Sequence, residues 1–172
     1  HDHGVKVYVA ANMVTHDGNE IGAGTWFREL RDLGLDAVIV SDPAFIAICA
    51  TDAHGLEIHL SIHASSTNYE TIEFWKELGL TRVVLARENT LEEIQNICRQ
   101  TNLEIEVFVH GAMCVCYSGQ CLMSSMIGKR SGNRGQCAQP CRLQYQLLKD
   151  GQSLPEKHPY LLSPKDIMTI EY

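Results

Sequence analysis

The chain has 172 residues, 45% hydrophobic and 20% charged, with a formal net charge of −7. That length allows one domain with a hydrophobic core, and no apolar run approaches the ~18 residues that a membrane span needs. The acidic balance excludes a broad nucleic-acid-binding surface, so any RNA contact is expected to be local. No charged-then-apolar leader precedes the body, which points to the cytoplasm, where thiols stay reduced. The chain opens on His1 and runs at once into a strand pattern. The expectation is a segment of a longer polypeptide.

Short β-rich runs alternate with helical patterns. "VKVYVAAN" (5–12) reads as a strand over 5–11, and "AGTWFRELRDLG" (23–34) as a helix ending at Gly34. Its Trp26, Leu30 and Leu33 fall at helical spacing. A strand follows over 36–41, then a helix over 43–55 with Pro43 in its first turn. The third strand covers 57–62, and the next helix, 68–79, has Asn68 as its cap. The fourth strand covers 82–86. The helix over 90–101 opens on a capping-box pattern, Thr90 followed by Glu93. "EIEVFVHG" carries a fifth strand over 104–109.

This alternation means parallel β/α units. No G-x-G-x-x-G follows the first strand, which disfavours a dinucleotide fold. Five or six units are too few for a complete barrel of about 250 residues. The expected fold is therefore α/β: a partial (β/α)8 TIM-like barrel with a Cys-rich, basic, irregular insertion over 107–149. Barrel active sites gather at the C-terminal ends of the strands. Asn12, His63, Arg87 and His110 lie at such ends, and Lys165 and Asp166 close the late run "YLLSPKD". Histidine suits proton transfer near neutral pH.

Five of the seven cysteines crowd into 114–141, spaced C-x-C-x4-C-x15-C-x3-C. Residues 107–149 contain five basic residues and no Asp or Glu. Such surroundings favour thiolate and attract anions. The spacing lacks the paired C-x2-C knuckles of a zinc ribbon, whereas iron–sulfur ligation tolerates looser spacing. In an extended segment, Cys114 and Cys116 would point to opposite sides. Cys49 and Cys98, in apolar helical stretches, read as small buried hydrophobes.

The run "EVFVHGAMCVCYSGQCLMSSMIGKRSGNRGQCAQPCR" resembles the signature of the collagenase-like peptidase family U32. The family pattern, E-x-F-x-x-G, Cys, G-x-C and a downstream C-x-Q-P-C-R, falls on Glu106, Phe108, Gly111, Cys114, Gly119, Cys121, Cys137, Gln139, Pro140, Cys141 and Arg142. Two positions depart from it: Cys116, where members commonly have Ser, and His63, near which they commonly have Gln.

The resemblance implies an iron–sulfur-dependent enzyme that hydroxylates an RNA base, tRNA uridine or ribosomal RNA, by an oxygen-independent route linked to prephenate. It implies a [4Fe-4S] cluster on Cys114, Cys121, Cys137 and a fourth ligand, Cys141 or a cysteine further downstream. Zinc or no metal is the expectation for an isolated fragment. On this reading Arg134 and Arg142 hold an anionic group, with Asn12 and Arg87 also binding substrate. His110, His63, Lys165 and Asp166 are the candidate catalytic residues. Two alternatives stand beside it: the peptidase of the family name, and an RNA-binding module without catalysis. No membrane is expected, and a protein partner fits. Neither H-E-x-x-H nor G-x-S-x-G occurs in the sequence.

Overall fold

The structure is a computed structural model and describes residues 3–111, 113–155, 158–163 and, as backbone, 167–168. It divides into two compact units, 1–107 and 108–172.

The first unit is built of β/α repeats. Five strands, β1 (Tyr8–Ala11), β2 (Ala37–Val40), β3 (Glu57–Leu60), β4 (Arg82–Val84) and β5 (Glu104–Glu106), form one parallel sheet in chain order. Between them run α1 (Ala23–Asp32), α2 (Pro43–Asp52), α3 (Tyr69–Glu77) and α4 (Leu91–Gln100). Every expected element of this unit is present, most of them a residue or more shorter than the pattern suggested.

The helix starts follow from their caps. The Asp42 carboxylate accepts from the Ala44 amide, with Pro43 at the first helical position. The Asn68 side chain accepts from Thr71. Thr90 and Glu93 close a reciprocal capping box.

Side chains alternate across a strand, so each strand has two faces. Val9, Ala11, Val38, Val40, Ile58, Leu60, Val83, Leu85 and Ile105 share one face and join a single apolar cluster. All four helices pack into that cluster, through residues such as Phe27, Ile46, Ile72 and Ile97. The register sets Tyr8 beside Ala37 and Glu57, and His59 beside Arg82 and Glu104, on the other face. There Arg82 bridges Glu104 at 2.6 Å and Glu106 at 3.3 Å. His59 stacks edge-on against Tyr8.

One expectation for the core, the burial of Cys98, is corrected, and the buried face of α1 is now defined. The buried stripe of α1 is Ala23, Phe27 and Leu30; Trp26 is 38% and Leu33 78% exposed. The helix ends at Asp32, and Leu33 is its exposed C-cap. Cys49 is buried as expected, but Cys98 is exposed. The inward side of α4 is taken by Ile94 and Ile97, and Cys98 sits about 100° further round the helix.

The second unit has short elements only. β6 (His110–Gly111) pairs antiparallel with β9 (Ile167–Met168), and β7 (Leu148–Lys149) pairs with β8 (Gln152–Ser153). The β7–β8 turn has both central residues at positive φ, Asp150 at 51° and Gly151 at 78°, the conformation that Asp-Gly favours in tight hairpins. A six-residue helix, α5 (Met123–Gly128), interrupts the segment expected to be irregular. The fifth strand of the sheet ends at Glu106, so His110 does not lie on it; it belongs to β6.

Candidate functional site

In the first unit, polar groups gather at the C-terminal ends of the strands. Asn12, Ser41 and Ser61 each directly follow β1, β2 and β3. The two-residue period continues the face opposite the helices through these three positions. The Asn12 amide donates to Ser61 Oγ at 3.0 Å, and the Ser41 hydroxyl donates to the Asn12 carbonyl at 3.0 Å.

His63 Nδ1 lies 2.9 Å from the same carbonyl. A carbonyl only accepts, so Nδ1 must carry the proton, which leaves the lone pair of a neutral ring on Nε2. The structure thus brings two of the expected site residues, Asn12 and His63, into direct contact.

Asp42 is held differently. Burial alone would push its carboxyl up, but hydrogen bonds from the Thr15 hydroxyl and amide and from the backbone of the next helix outweigh this and hold it below its usual value. Arg87 is half-buried and lies beyond β4, which ends at Val84.

Sequence reasoning missed two further groups here. Ser66 is fully buried, and its hydroxyl has no hydrogen-bond partner among the described residues. The Asn89 side-chain oxygen is in the same condition, while its amide nitrogen donates to the Thr67 carbonyl at 2.7 Å. Their signal was burial without a partner, which a sequence does not display.

In the second unit the thiols form a neighbourhood. The pKa of Cys116 is raised by burial and then by the nearby Cys121 and Cys114 thiols. These three sulfurs therefore share one region. The chain bends at Val115–Cys116, so the strict alternation expected of an extended segment does not apply. A side chain placed at Gly132 would touch both the Cys137 Cβ, at 3.6 Å, and the Cys121 carbonyl, at 3.7 Å. The buried Ser124 accepts from the Ala138 amide at 2.9 Å. Cys137 Sγ receives the Gln139 amide at 3.3 Å.

Arg142, next to Cys141, donates to the Met113 carbonyl at 2.6 Å and to Ser163 Oγ at 2.7 Å. Arg134 and His110 are exposed. Lys165 and Asp166 lie outside the described residues.

All seven cysteines are present as thiols. Among the described residues no group of three or more His, Cys, Asp or Glu side chains is arranged about a single ion. The fit to a metal or cluster is thus one of donor chemistry: soft sulfurs on cross-tied segments, with an amide already aimed at one of them.

The sequence matches peptidase family U32 over residues 1–172. It is 41% identical to tRNA hydroxylation protein P1 of Bacillus subtilis over 98% of this chain and 42% of that protein. It is 39% identical to a 23S rRNA 5-hydroxycytidine synthase of Escherichia coli, over 96% of this chain and 25% of that protein. A protein named collagenase, from Porphyromonas gingivalis, is 34% identical over 99% of this chain and 44% of its own length. The chain therefore spans less than half the length of these relatives.

A solved U32 peptidase superposes with a TM-score of 0.55 at 22% identity, over 65% of this chain and 49% of that one, a likeness of fold. RNA hydroxylation and peptidase names thus meet on one sequence signature, and by its match from the first residue to the last this chain belongs to peptidase family U32.

Proposed function

We propose that this chain is part of a cytoplasmic iron–sulfur enzyme that hydroxylates an RNA base, in tRNA or ribosomal RNA. One observation carries the reading: Cys116 lies near both the Cys121 and the Cys114 thiols, in a basic segment without carboxylates. The relatives' names supply the reaction class. Cys114, Cys121, Cys137 and Cys141 would hold a [4Fe-4S] cluster, which supplies one-electron chemistry when bound.

The chain's own residues have separate tasks. His63 Nε2 would hold or accept a proton beside the substrate, while the Asn12 carbonyl fixes the ring. Arg134, exposed in a segment free of acidic side chains, would hold an anion such as the carboxylates of prephenate. Lys165, Asp166, His110 and Arg87 remain candidates for positions around the substrate.

The sheet itself supports a barrel arc. Its strands follow chain order without reversal, and one face takes all the helices. A doubly wound sheet would reverse its order and carry helices on both faces. Further β/α units pairing with the open edges of β1 and β5 would close it.

The test is the nucleoside profile of cells lacking the full-length protein, read by mass spectrometry. A hydroxylated base should be missing, should return with the wild-type gene, and should stay missing with each of the four Cys→Ser variants. An unchanged profile together with metal-independent cleavage of gelatin would make the protein the peptidase of its family name. An unchanged profile with salt-sensitive RNA binding would make it a binding module.

A further inference from the structure

We propose that Arg142 is a positioning residue for the thiol site, fastening the segment that carries Cys141 to the segment that carries Cys114. The inference rests on the reading that these thiols hold a metal centre. Its evidence is independent of that reading. One guanidinium donates through Nη2 to the Met113 carbonyl at 2.6 Å and through Nη1 to Ser163 Oγ at 2.7 Å. Met113 immediately precedes Cys114, and Cys141 immediately precedes Arg142. The bond therefore joins a side chain of one cysteine-bearing segment to the backbone of the other, 29 residues apart in sequence at the bonded positions.

Packing cannot do this work here. The buried described residues of the second unit are Ser118, Ser124 and Pro140, two hydroxyls and one small ring. With so little apolar burial, the chain's course depends on specific polar ties. Arg142 is held for the task from its own side. It closes a 3-10 turn, Pro140–Arg142, whose Pro140 carbonyl accepts from the Tyr145 hydroxyl at 3.0 Å.

Two simultaneous bonds in fixed directions need the planar fork of arginine; a lysine ammonium makes a point contact. The Ser124–Ala138 bond does for the segments of Cys121 and Cys137 what Arg142 does for those of Cys114 and Cys141, and Gly132 lets the same two segments approach closely. The same bonds separate Arg142 from Arg134. Both terminal nitrogens of Arg142 already have acceptors, so an anion would have to displace them, whereas Arg134 is exposed.

The experiment uses the full-length protein, purified anaerobically, in four variants: Arg142→Ala, Arg142→Lys, Ser163→Ala and, as a control on the exposed side of α4, Arg99→Ala. Iron and sulfide are counted per chain. The apo-proteins are titrated with cobalt(II), whose sulfur-to-metal charge-transfer band reports thiolate ligation without any turnover. Arg142→Ala should lose about 10- to 100-fold in cobalt affinity, as outer-sphere partners of metal ligands typically do. Its iron content should fall while its far-UV spectrum stays that of wild type. Arg142→Lys and Ser163→Ala should lose less, and Arg99→Ala nothing.

Wild-type iron content and cobalt affinity in Arg142→Ala would overturn the proposal. So would full metal content with a raised KM for an anionic co-substrate, which would make Arg142 an anion binder. If Arg142→Ala fails to fold, Ser163→Ala decides: unchanged cobalt affinity there counts against the tie. Failure of the wild type itself to ligate cobalt through sulfur would overturn the metal reading, and this inference with it.

Discussion

In residues 1–107 the strand positions facing the helices are Val, Ala, Ile and Leu, and they merge with Phe27, Phe45, Ile72 and Ile97 into one core. In residues 108–172 the buried described residues are two serines and a proline, while Phe108, Tyr117, Leu122, Met126 and Ile127 lie exposed. The first unit is held by removing apolar surface from water, at ~25 cal/mol per Å2. The second has too little such surface and relies on directed contacts: Arg142 to Met113, Ser124 to Ala138, Tyr145 to Pro140. Units of this kind usually draw stability from disulfides, metals or a partner. The five cysteines of the second unit stand as thiols, and under the proposed function a metal centre on them would be that staple.

The sharpest way to break this contrast is to make the same kind of cut in both units. Phe27→Ala empties a fully buried site between α1 and the sheet and should cost ~3–5 kcal/mol. Met126→Ala removes a side chain that is 82% exposed and should change stability by no more than ~0.5 kcal/mol. Urea midpoints on otherwise identical preparations decide it. Comparable losses would mean that the second unit has an apolar core after all.

Next in size is the thiol site. Replacing Cys121 by Ser in metal-loaded, full-length protein should release residues 108–172 to proteolysis and leave 1–107 protected. Mass spectrometry of the first cleavage products reads this out. Cuts appearing equally in both units would show that the metal stabilises the chain as a whole.

Much of the first unit was legible because its signals are local. Alternation across strands, Pro43 after Asp42, Asn68, and Thr90 with Glu93 all act within four residues, and each has the role its type implies. What was not legible is relational. Trp26 and Leu33 share the helical period with Leu30, but only the sheet decides that Phe27 faces it. His63 was a candidate by its place at a strand end; the carbonyl that fixes its tautomer comes from Asn12, 51 residues away in sequence. In the second unit the Asp150–Gly151 hairpin had a readable signal that went unread. The Arg142 tie and the bend that gathers Cys114, Cys116 and Cys121 have no local signature at all.

The helix-free face of the sheet offers a pH test. His59 is 1% exposed, with Nδ1 lacking a partner among the described residues and Nε2 3.3 Å from the Glu57 carboxylate. Burial pushes its pKa below the ordinary 6.5, and the Arg82 charge adds to this, against the pull of Glu57 and Glu106. Tyr8 covers its ring edge-on. The unfolded chain therefore binds a proton at higher pH than the folded one. The neutral ring's contribution is complete above about pH 6.5 and is lost as pH falls below it, with a slope of at most ~1.4 kcal/mol per pH unit. Urea midpoints compared at about pH 7.5 and about pH 5 should fall less in His59→Phe than in wild type. An identical acid slope would place the titrating group elsewhere.

The smallest effect separates the two units at the level of single helices. Thr90 begins α4 with both halves of a capping box: the Glu93 amide donates to its hydroxyl at 3.3 Å, and its own amide donates to the Glu93 carboxylate at 2.6 Å. These bonds satisfy backbone donors that the helix itself cannot, and they hold the Glu93 carboxyl below its usual pKa. Thr90→Ala removes one half and should cost ~1 kcal/mol. The helix of the second unit, α5, starts at Leu122 with no side-chain cap. Leu122→Asp places an acceptor, and a negative charge that the helix dipole favours, at that start. It exposes no core, because Leu122 is already 60% exposed. Amide exchange over Met123–Gly128 should slow in Leu122→Asp, and exchange over Leu91–Gln100 should quicken in Thr90→Ala. If the α5 amides do not respond to the added cap, the ties at Ser124 and Arg142, rather than helix formation, set the local stability of the second unit.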